Sequence, residues 1–393
     1  NWSPRQGTVA AILELLLEYR LVQVRGTPAS GKSTLLALLR AHIVQVDKKA
    51  NVFVYKNWPQ NELESDEYRV ETRLPEYPGF DDNKQFLLFD EGQQSYWDTR
   101  LWKFFKDEVQ RREAPIYAII FCSYGNENLS DRRILTPVGF DAKVTLERVQ
   151  IGDSKSYGLL LHEKEFDEVL ERQKPKLYVA SDLRDFIYKF TRGHVGHTLA
   201  VVDFLVKKRE GFMLSGHEYD VDSFHQDNPS YDEFNHHLVK HSVIHHGFPY
   251  DPEPYILAMK ELLLHGEIVF NDHSFNQDTL LKLKEAHENG FVELNEDKRY
   301  TFPSPLIRQV WSWHLLPSPN YQLPYTDLFS LVKATVAHFR PSQLTGSDRR
   351  IGASDHRPPK AQYQDEYYRC VHEITNGNVR ISPEYAAATG TRA

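Results

Sequence analysis

Short apolar stretches recur through the first 150 residues and are separated by polar or helix-prone segments. Continuous runs such as FLLF at 86–89 and IYAIIFC at 116–122 are typical of strands buried on both faces of a parallel sheet. Three further strands are predicted at Leu21–Val24, Val52–Tyr55 and Val144–Val149. A helix is predicted at Leu101–Gln110. Strands that alternate with helices predict an α/β fold with a doubly wound parallel sheet, whose ligand binds at the carboxyl ends of the strands.

Residues 163–213 have a helical pattern throughout. Gly193 follows an aromatic-rich helix and suits a helix stop, and Gly196 is expected to loosen the turn before the next helix. Taken by itself, this segment predicts a helical hairpin with a glycine-rich turn.

Residues 251–316 predict the order helix, helix, β-hairpin, helix, which is that of a winged-helix domain. The first helix is predicted from Pro252 to Gly266, with Asp251 as its N-cap, and the second spans Gln277–Glu288. Winged helices often bind DNA with the second helix in the major groove. Here that helix carries as many acidic as basic residues, so a structural or protein-contacting domain is favoured over a DNA-binding one.

Composition narrows the class of protein. The chain has 393 residues, of which 40% are hydrophobic and 26% charged, which is typical of a soluble globular protein of several domains. No apolar stretch reaches the ~18 residues that a membrane helix needs, and there is no signal-peptide pattern.

Two cysteines, Cys122 and Cys370, favour a reducing compartment, so we expect an intracellular protein of the cytoplasm or nucleus with no membrane partner. The net charge of −8 argues against nonspecific nucleic-acid binding. It does not exclude a local basic face on the surface. Because the sequence begins at Asn1 rather than Met, we interpret it as an excised piece.

A phosphate-binding motif lies at residues 26–33, which match G-x-x-x-x-G-K-[ST] between a predicted strand and an apolar helix. The glycines allow backbone N–H groups to turn toward phosphate oxygens at a helix N-terminus. Lys32 is expected to reach the β- and γ-phosphates, and the Ser33 hydroxyl to bind Mg²⁺. The predicted nucleotide-binding residues are Gly26, Thr27, Pro28, Ala29, Ser30, Gly31, Lys32 and Ser33. The alternative is a glycine-rich turn with a surface lysine.

Two adjacent acids, Asp90 and Glu91, follow the apolar run at 86–89. Buried carboxylates are costly unless a cation accompanies them. In a P-loop protein Asp90 is expected to hold Mg²⁺ directly or through water, and Glu91 to orient or deprotonate the attacking water. Ser123 follows the strand at 116–122 and is a catalytic sensor candidate near the γ-phosphate, with a plain strand cap as the alternative.

Two other sets of residues have open or weak assignments. Five arginines are candidates for stabilising transition-state charge, and the sequence does not choose among them: Arg100, Arg111, Arg112, Arg132 and Arg133. His237, His241 and His245 recur at i, i+4 and i+8, which would line one helix face. Zinc sites with that spacing add a carboxylate or thiolate ligand and a supporting shell. Since there is no H-E-x-x-H and no nearby cysteine, we interpret the three as helix-surface histidines.

Four stretches together resemble the Crinkler-type proteins of oomycetes and fungi: RGTPASGKSTLL, LLFDEGQQSYWDTRLW, FTRGHVGHTLAVVDFL and QYQDEYYRCVHEITNGNVRISPEYAAATG. The resemblance covers nearly the whole chain, and SYWDTRLW and the closing tail are its most particular parts. It implies a STAND-like P-loop NTPase coupled to a C-terminal nuclease of the PD-(D/E)xK class. Lys32, Ser33 and Thr34 match the family's phosphate loop, which adds Thr34 to the nucleotide-binding set, and Asp90 and Glu91 match its acidic strand end.

The same resemblance implies roles for later residues. TRGHVG is similar to the lid motif that touches nucleotide in STAND proteins, which implies nucleotide contact by Gly193 and His194, although Val195 stands where related ATPases usually have proline. Glu366 resembles the first-helix acid of the nuclease, but its metal-binding partners do not follow in this sequence, so this chain is not expected to cut DNA. The implied domains are a P-loop NTPase at 1–152, a helical lid at 153–215, a winged helix at 216–318, and a linker with an incomplete nuclease start at 319–393.

The sequence thus predicts a Mg²⁺-dependent nucleoside triphosphatase that binds ATP and ADP. ATP is favoured over GTP because no N-K-x-D motif of the G-protein type is present. One alternative is a non-hydrolysing nucleotide-bound switch that binds DNA or a protein partner through the winged helix. Another is the regulatory part of a nuclease effector, since Crinkler-type proteins are secreted effectors that act in a host nucleus. Double-stranded DNA and a second copy of the chain, as in a homo-oligomer, are the partners left open.

Overall fold

The computed structural model describes residues 3–59, 61, 68, 83–110, 115–123, 140–151, 155–172, 177–209, 218–228, 231–245, 248–270, 272, 274–295, 297–315, 325, 327–344, 350–351, 355–356 and 359–375. The chain divides into two compact units, Asn1–Trp311 and Ser312–Ala393. Within the described ranges, no helix combines the length and the apolar character needed to cross a membrane.

A five-stranded parallel sheet forms the core of the first unit. Its strands are β1 (Leu21–Arg25), β2 (Asn51–Tyr55), β3 (Gln85–Phe89), β4 (Ile116–Cys122) and β5 (Ala142–Val144). They lie in the order β2-β3-β4-β1-β5, and all neighbouring strands are parallel. The strand that leads into the phosphate motif, β1, and the strand that ends at Asp90, β3, therefore both flank β4.

Both faces of this sheet are covered by helices, because alternate residues of each strand point to opposite sides. On one side, Val22 and Val24 pack with α1 (Gln6–Tyr19) and α2 (Lys32–Val46). On the other side, Leu21 packs with α3 (Thr99–Phe104) and the π-helical turn Phe105–Val109 that continues it. Each fully buried aliphatic or aromatic side chain in these clusters contributes ~1.5–3 kcal/mol. The predicted α/β fold with a doubly wound parallel sheet is confirmed.

The other described elements of the first unit include further helices and two small antiparallel sheets. The helices are α4 (Glu163–Glu171), α5 (Ser181–Thr191), α6 (Val195–Arg209), α7 (Val221–Asp227), α8 (Asp232–Lys240), α9 (Ser242–His245), α10 (Ile256–His265), α11 (Gln277–Glu288) and α12 (Pro305–Leu315), whose last residues extend past Trp311. The hairpin strands are β6 (Val149–Ile151) and β7 (Lys155–Tyr157). A three-stranded sheet has the order β8-β10-β9, with β8 (Ile268–Val269), β9 (Glu293–Leu294) and β10 (Arg299–Thr301).

The segment from α10 to α12 has the predicted order of helix, helix, hairpin and helix, with the short strand β8 after the first helix. Gly266 and Gly290 follow α10 and α11 with φ angles of 76° and 80°, the left-handed conformation that commonly ends helices. The assignment of this segment as a winged-helix domain stays a prediction, as do the implied domain boundaries.

Three local predictions are wrong. No continuous strand runs over 144–149, because β5 ends at Val144 and β6 begins at Val149. The helix predicted from Pro252 begins only at Ile256, after a 3₁₀ turn at Glu253–Tyr255. Asp251 caps that turn instead, since its Oδ1 accepts a hydrogen bond from the Glu253 N–H at 3.2 Å. Gly196 lies inside the first turn of α6 rather than before it.

The three histidines of the i, i+4, i+8 pattern do not line one helix. α8 ends at Lys240, His241 is extended with φ −70° and ψ 126°, and His245 lies in the next short helix. This break turns His241 toward α6, where its Nε2 and the Nε2 of His237 lie 3.6 and 3.7 Å from Asp203 Oδ2.

The second unit contains α13 (Leu328–Ala337), α14 (Pro341–Leu344), α15 (Pro359–Ile374) and a two-stranded sheet of β11 (Arg350–Ile351) and β12 (Asp355–His356). Glu366 of α15 is buried, and it accepts hydrogen bonds from Arg369 Nε at 2.8 Å and from the Arg340 N–H at 2.7 Å. The hydrogen bond from Arg369 is the main reason that the pKa of Glu366 falls to about 2. Its carboxylate is thus engaged in contacts within this unit. Residues 376–393 of the implied nuclease start lie outside the described residues.

Candidate nucleotide-binding site

The loop at residues 26–31 joins β1 to the N-terminus of α2, and its glycines have steric reasons. Gly31 has a φ of 89°, and a β-carbon there would lie 3.1 Å from Cγ2 of Val195. At Gly26 a β-carbon would lie 2.2 Å from Leu159 Cδ1 and 2.7 Å from Ser30 Oγ. The Gly26 N–H also donates to the Cys122 carbonyl of β4 at 3.2 Å. A loop of this kind, at the start of a helix that follows a buried strand, suits an anion.

Lys32 is the first residue of α2 and is 6% exposed. Its Nζ donates to the carbonyl oxygens of Gly26 at 2.7 Å and Thr27 at 3.0 Å. Burial lowers the pKa of Lys32, while the charges of Glu91 and Asp90 act in the opposite direction. The ammonium group therefore lies inside the loop and close enough to the two acids to interact with both.

Asp90 directly follows β3 and is 8% exposed. Its backbone N–H donates to the Tyr55 carbonyl at 2.8 Å, but its Oδ1 is buried and makes no hydrogen bond with any described residue. A buried carboxylate oxygen without a partner costs ~1–3 kcal/mol or more, so this atom suits a cation or its bound water. Ser33, which is exposed in the first turn of α2, offers a hydroxyl oxygen. Oxygen donors of these types fit Mg²⁺.

Glu91 begins a 3₁₀ turn at Gly92–Ser95 with a left-handed φ of 53°. The turn packs tightly against β4, since a β-carbon at Gly92 would lie 2.2 Å from Ile120 Cγ2. The side chain of Gln93 links two predicted catalytic residues, Glu91 and Ser123. Its Nε2 donates to Glu91 Oε2 at 2.5 Å, and its Oε1 accepts from the Ser123 N–H at 3.1 Å. Gln93 was not among the predicted site residues, although its place two residues after Glu91 was a usable signal.

Only one of the five arginine-finger candidates lies within the described residues. Arg100 is exposed in the first turn of α3, where its backbone N–H donates to Asp98 Oδ1 at 3.1 Å. The other candidates lie outside the described residues: Arg111, Arg112, Arg132 and Arg133.

The turn between α5 and α6 packs directly on the phosphate loop. The Gly196 N–H donates to the Ala29 carbonyl at 3.0 Å. Next to it, the side chain of Val195 covers Gly31. Ala29 is itself left-handed, with a φ of 59°, so this turn holds a strained loop residue in place.

The structure places Gly193 and His194, both predicted to contact nucleotide, in different surroundings. Gly193 has a φ of 71°, and a β-carbon there would lie 2.6 Å from the Leu161 carbonyl oxygen. Its own carbonyl accepts from the Leu161 N–H at 2.8 Å, so close backbone approach explains the glycine. His194 is fully buried, with its Nε2 3.0 Å from the Thr27 hydroxyl of the phosphate loop.

A buried polar chain continues from His194 to the start of α12. Its ring stacks on that of His197, with centroids 3.6 Å apart, and His197 Nδ1 lies 2.8 Å from the Ser304 hydroxyl. Burial lowers the pKa of His194 to about 3 and that of His197 well below its ordinary value, so both rings are neutral. The backbone N–H of His197 donates to His194 Nδ1 at 3.4 Å, so Nδ1 is an acceptor and carries no proton. The single ring proton of neutral His194 is therefore on Nε2, which donates to the Thr27 hydroxyl.

The segment after α11 also reaches the phosphate loop. A β-carbon at Gly290 would lie 2.1 Å from Pro28 Cδ, so the two backbones approach closely. Nearby, Arg192 forms ion pairs with Glu147 and with Glu293 of β9, the latter at 3.4 Å. Burial raises the pKa of Glu293 to about 7 against the effect of Arg192. None of these three contacts was predicted, because each joins residues that lie far apart in the sequence.

A small open cavity of about 20 Å³ adjoins the phosphate loop. Its lining is mostly apolar and comprises Ser3, Arg5, Gly31, Thr34, Leu35, Leu161, Val169 and Val195. Its volume suits about one water molecule, well below the ~300–1,000 Å³ of a small-molecule site. Thr34, predicted to bind nucleotide, contributes to this cavity.

Comparisons with known proteins give structural similarity only. No protein-family model matches the chain, and no curated protein matches it either. Drosophila ORC bound to DNA is 11% identical, with a TM-score of 0.38, over 80% of this chain and 87% of that chain. A RuvB variant of Thermotoga maritima is 16% identical, with a TM-score of 0.37, over 75% of this chain and 91% of that chain. The Aeropyrum pernix ORC1 protein in complex with DNA is 11% identical, with a TM-score of 0.38, over 79% and 92%. These values assign neither an activity nor a partner to this chain.

Proposed function

We propose that this protein is a Mg²⁺-dependent nucleoside triphosphatase, most simply an ATPase. The observation that carries the proposal is the buried, unpartnered Oδ1 of Asp90, at the end of a strand that shares the neighbour β4 with the strand of the phosphate loop. The Lys32 ammonium lies close enough to interact with this carboxylate. A cationic loop beside an unsatisfied acid is the combination that phosphate and its magnesium require.

Each residue has a separate role in this proposal. The loop amides and Lys32 bind the phosphates, and for this Lys32 exchanges its hydrogen bonds to the Gly26 and Thr27 carbonyls for phosphate oxygens. Ser33 and Asp90 would hold Mg²⁺. When bound, the ion would neutralise charge on the phosphate oxygens.

Glu91 is the proposed base that orients or deprotonates the attacking water. Gln93 holds the Glu91 carboxylate and, through its other amide atom, fixes the turn to the end of β4 at Ser123. A base held in this way loses little rotational freedom before reaction. Ser123 adds a hydroxyl at the same strand end and is the proposed sensor of the γ-phosphate.

The apolar cavity beside the loop is the proposed site of the nucleobase, and it would have to widen to admit a base. Leu35, Leu161 and Val195 would pack on the ring faces, and Arg5 and Ser3 lie at the polar edge. Its position between α2 and the lid turn would let bound nucleotide contact both. Because no base-reading motif of the G-protein type is present, ATP is the substrate that we propose.

A non-hydrolysing switch is the second candidate, and the contacts of the lid favour it. The phosphate loop is held by Gly196 and Val195 on one side and by Gly290 on Pro28 on another. These contacts on two sides of the loop would retain a bound nucleotide and slow its exchange. In this reading ADP is a tightly held ligand, and the lid and the α10–α12 segment report its presence.

A wider role in regulating a DNA-directed or nuclease function rests on the resemblance to Crinkler-type effectors alone. The charges of α11 do not favour binding to DNA phosphates, since Lys282 pairs with Glu285 at 2.8 Å and Lys284 with Glu288 at 3.9 Å. We therefore propose that the main role of the winged-helix-like segment is its contact with the phosphate loop. DNA binding is the alternative.

Phosphate release from Mg²⁺-ATP tests the proposal directly. We expect turnover by the wild type, a loss of about a hundredfold or more in Glu91→Gln with nucleotide binding retained, and loss of both in Lys32→Ala. Glu18→Gln makes the same change at an exposed glutamate of α1 and should leave turnover unchanged. Equal turnover in the wild type and Glu91→Gln would reject the mechanism.

The two candidate functions separate in the same assay. No turnover in any variant, together with ADP that co-purifies with the wild type but not with Lys32→Ala, would support the switch and reject the hydrolase. Stimulation of turnover by duplex DNA would favour DNA as a partner of the winged-helix-like segment, and an unchanged rate would favour the protein contact.

A further inference from the structure

A cluster of metal-ligating side chains lies between α6 and the C-terminal end of α8, formed by residues with no role in the proposed nucleotide chemistry. Asp203 projects from α6, His237 from α8, and His241 from the extended residue just after α8. Asp203 Oδ2 lies 3.7 Å from His237 Nε2 and 3.6 Å from His241 Nε2. All three ligand atoms lie within 4.8 Å of one another.

The donor set is specific in its chemistry. Two imidazole nitrogens and one carboxylate oxygen suit Zn²⁺ and other divalent transition-metal ions, and they are poor ligands for Mg²⁺. Ligands at ~2.0–2.2 Å from a common tetrahedral zinc ion are a little over 3 Å apart, so small side-chain rotations would complete the geometry. Both histidine side chains are largely enclosed, at 16% and 17% exposure, while Asp203 is 40% exposed and leaves a side open for water.

The protonation states also suit a metal. Burial lowers the pKa of both His237 and His241, so each is neutral near pH 7 and keeps a nitrogen lone pair. The ring of His237 packs against Phe204, with centroids 5.3 Å apart, which restricts its rotation. A restricted ligand loses less freedom when the metal binds.

The Lys207 ammonium and the Ala200 carbonyl compete with a metal at this cluster. Lys207, one turn after Asp203, places its Nζ 2.7 Å from Asp203 Oδ2, and its side chain is 60% exposed. His237 Nε2 lies 3.2 Å from the Ala200 carbonyl oxygen, to which a proton on Nε2 would be donated. Metal binding therefore requires that Lys207 swing into solvent and that the His237 proton move to Nδ1. Both changes are local, and neither alters the net number of protons on the histidine.

We propose that Asp203, His237 and His241 form a binding site for a divalent transition-metal ion, with Zn²⁺ as the ion that the donor set suits best. A metal there would tie α6, which begins at the phosphate-loop contact, to α8 and the segment that follows it. The geometry corrects the interpretation of these histidines as simple helix-surface residues, because the carboxylate ligand comes from a different helix.

Metal titration of the full chain tests the site. Protein treated with a chelator is titrated with Co²⁺, followed by visible absorption, and then with competing Zn²⁺, in the presence of excess Mg²⁺. We expect one equivalent to bind with the absorption of a tetrahedral or five-coordinate site. Asp203→Asn, His237→Gln and His241→Gln should each weaken binding by about tenfold or more. Far-UV circular dichroism should show that each variant remains folded.

Matched controls separate the site from surface binding, which matters because the chain has 18 histidines. His236→Gln changes an exposed histidine next to His237 and should bind Zn²⁺ as the wild type does. Lys32→Ala should also bind normally, since the nucleotide site is separate. Equal losses in His236→Gln and His237→Gln, or no loss in the ligand variants, would overturn the proposal and leave adventitious binding only.

Lys207→Met is a variant that removes no ligand and so keeps the proposal testable if a ligand variant fails to fold. Removing the ammonium frees Asp203 Oδ2, and we expect Zn²⁺ to bind about twofold to fivefold more tightly, the range of a partly exposed ion pair. Weaker binding in Lys207→Met than in the wild type would contradict the competition that the geometry implies.

Discussion

The imidazole ring of His194 lies almost parallel to that of His197, with centroids 3.6 Å apart, in the fully buried space between the phosphate loop and α12. Hydrogen bonds at the two ends of this pair reach Thr27 and Ser304. Two stacked rings so close together cannot both carry charge without a large penalty, because desolvation and mutual repulsion act in the same direction. The pair thus fixes the turn between α5 and α6 against the loop only while both rings are neutral.

Acid should therefore destabilise the protein already at pH values well above those at which carboxylates usually titrate. Burial lowers the pKa of His194 to about 3, that of His287 to about 4, and that of His197 well below the ordinary 6.5. Each gains a proton on unfolding once the pH falls below about 6.5, so stability is present above that pH and is lost below it. Urea unfolding at pH 7.5 and pH 5.5 measures the loss.

Glu293 opposes this trend and provides the check. Its pKa is raised to about 7 from an ordinary 4.5, so between these values the folded state holds a proton that the unfolded state lacks. The three histidines and Glu293 together give a net uptake of roughly two protons on unfolding near pH 5.5, or about 2.7 kcal/mol per pH unit. Glu293→Gln should steepen the acid loss by about one proton. The same pH dependence in Glu293→Gln and the wild type would contradict this account.

Removing the Gln93 side chain should impair hydrolysis without preventing nucleotide binding. Gln93 orients Glu91 and joins it to the end of β4, while the phosphate loop contacts other residues. In Gln93→Ala we expect kcat for ATP to fall about tenfold to a hundredfold, with the Kd for ATP little changed. Single-turnover phosphate release and equilibrium nucleotide binding measure the two quantities.

Gln94→Ala is the matched control, since Gln94 is the next residue of the same 3₁₀ turn. Its kcat should stay close to that of the wild type. A larger loss in Gln94→Ala than in Gln93→Ala would show that the turn itself, rather than the Gln93 amide, matters for the rate.

Patterns that concern neighbouring residues were predictable from the sequence. The strand before Gly26, the helix after Lys32 and the acids after the FLLF run depend on local spacing, and the structure has each of these elements where the spacing predicts it. The fold class followed from them, because parallel strands connected by helices have few alternatives.

Contacts between distant residues were not predictable in this way. The carboxylate that faces His237 comes from Asp203, 34 positions earlier, and Gly290 meets Pro28 from more than 260 positions away. No periodicity signals such a pair, since tertiary packing alone decides which turns meet. The break of α8 before His241 is of the same kind, because no glycine or proline stands at that point to signal it.

Replacing Glu165 should destabilise the first unit more than replacing any exposed glutamate near it. Its Oε2 lies 3.4 Å from Arg5 Nε and 3.1 Å from Arg148, and its Oε1 accepts from Thr8 Oγ1 at 2.5 Å. Burial alone would raise the pKa of Glu165, but these partners lower it. Glu165→Gln leaves the buried Arg5 guanidinium without its counter-charge, which we expect to cost about 3 kcal/mol of unfolding free energy.

Glu163→Gln serves as the control for that change. Glu163 is 62% exposed and lies 3.4 Å from Arg184, so its loss should cost no more than about 1 kcal/mol. Urea unfolding at pH 7.5 compares the two variants. Equal costs would indicate that the buried cluster contributes no more than a surface ion pair.

Gly290→Ala should disturb the phosphate loop, whereas Gly266→Ala should not. Both glycines are left-handed, so each substitution adds ~1 kcal/mol of backbone strain. Only at Gly290 does the new β-carbon also meet Pro28, at 2.1 Å from its Cδ, while nothing lies within 4 Å at Gly266. The additional overlap should cost ~1–3 kcal/mol and push the segment after α11 away from the loop. We expect weaker nucleotide binding and faster ADP release in Gly290→Ala than in Gly266→Ala, measured with a fluorescent ADP analogue. Equal release rates in the two variants would show that the Gly290–Pro28 contact does not hold the nucleotide site closed.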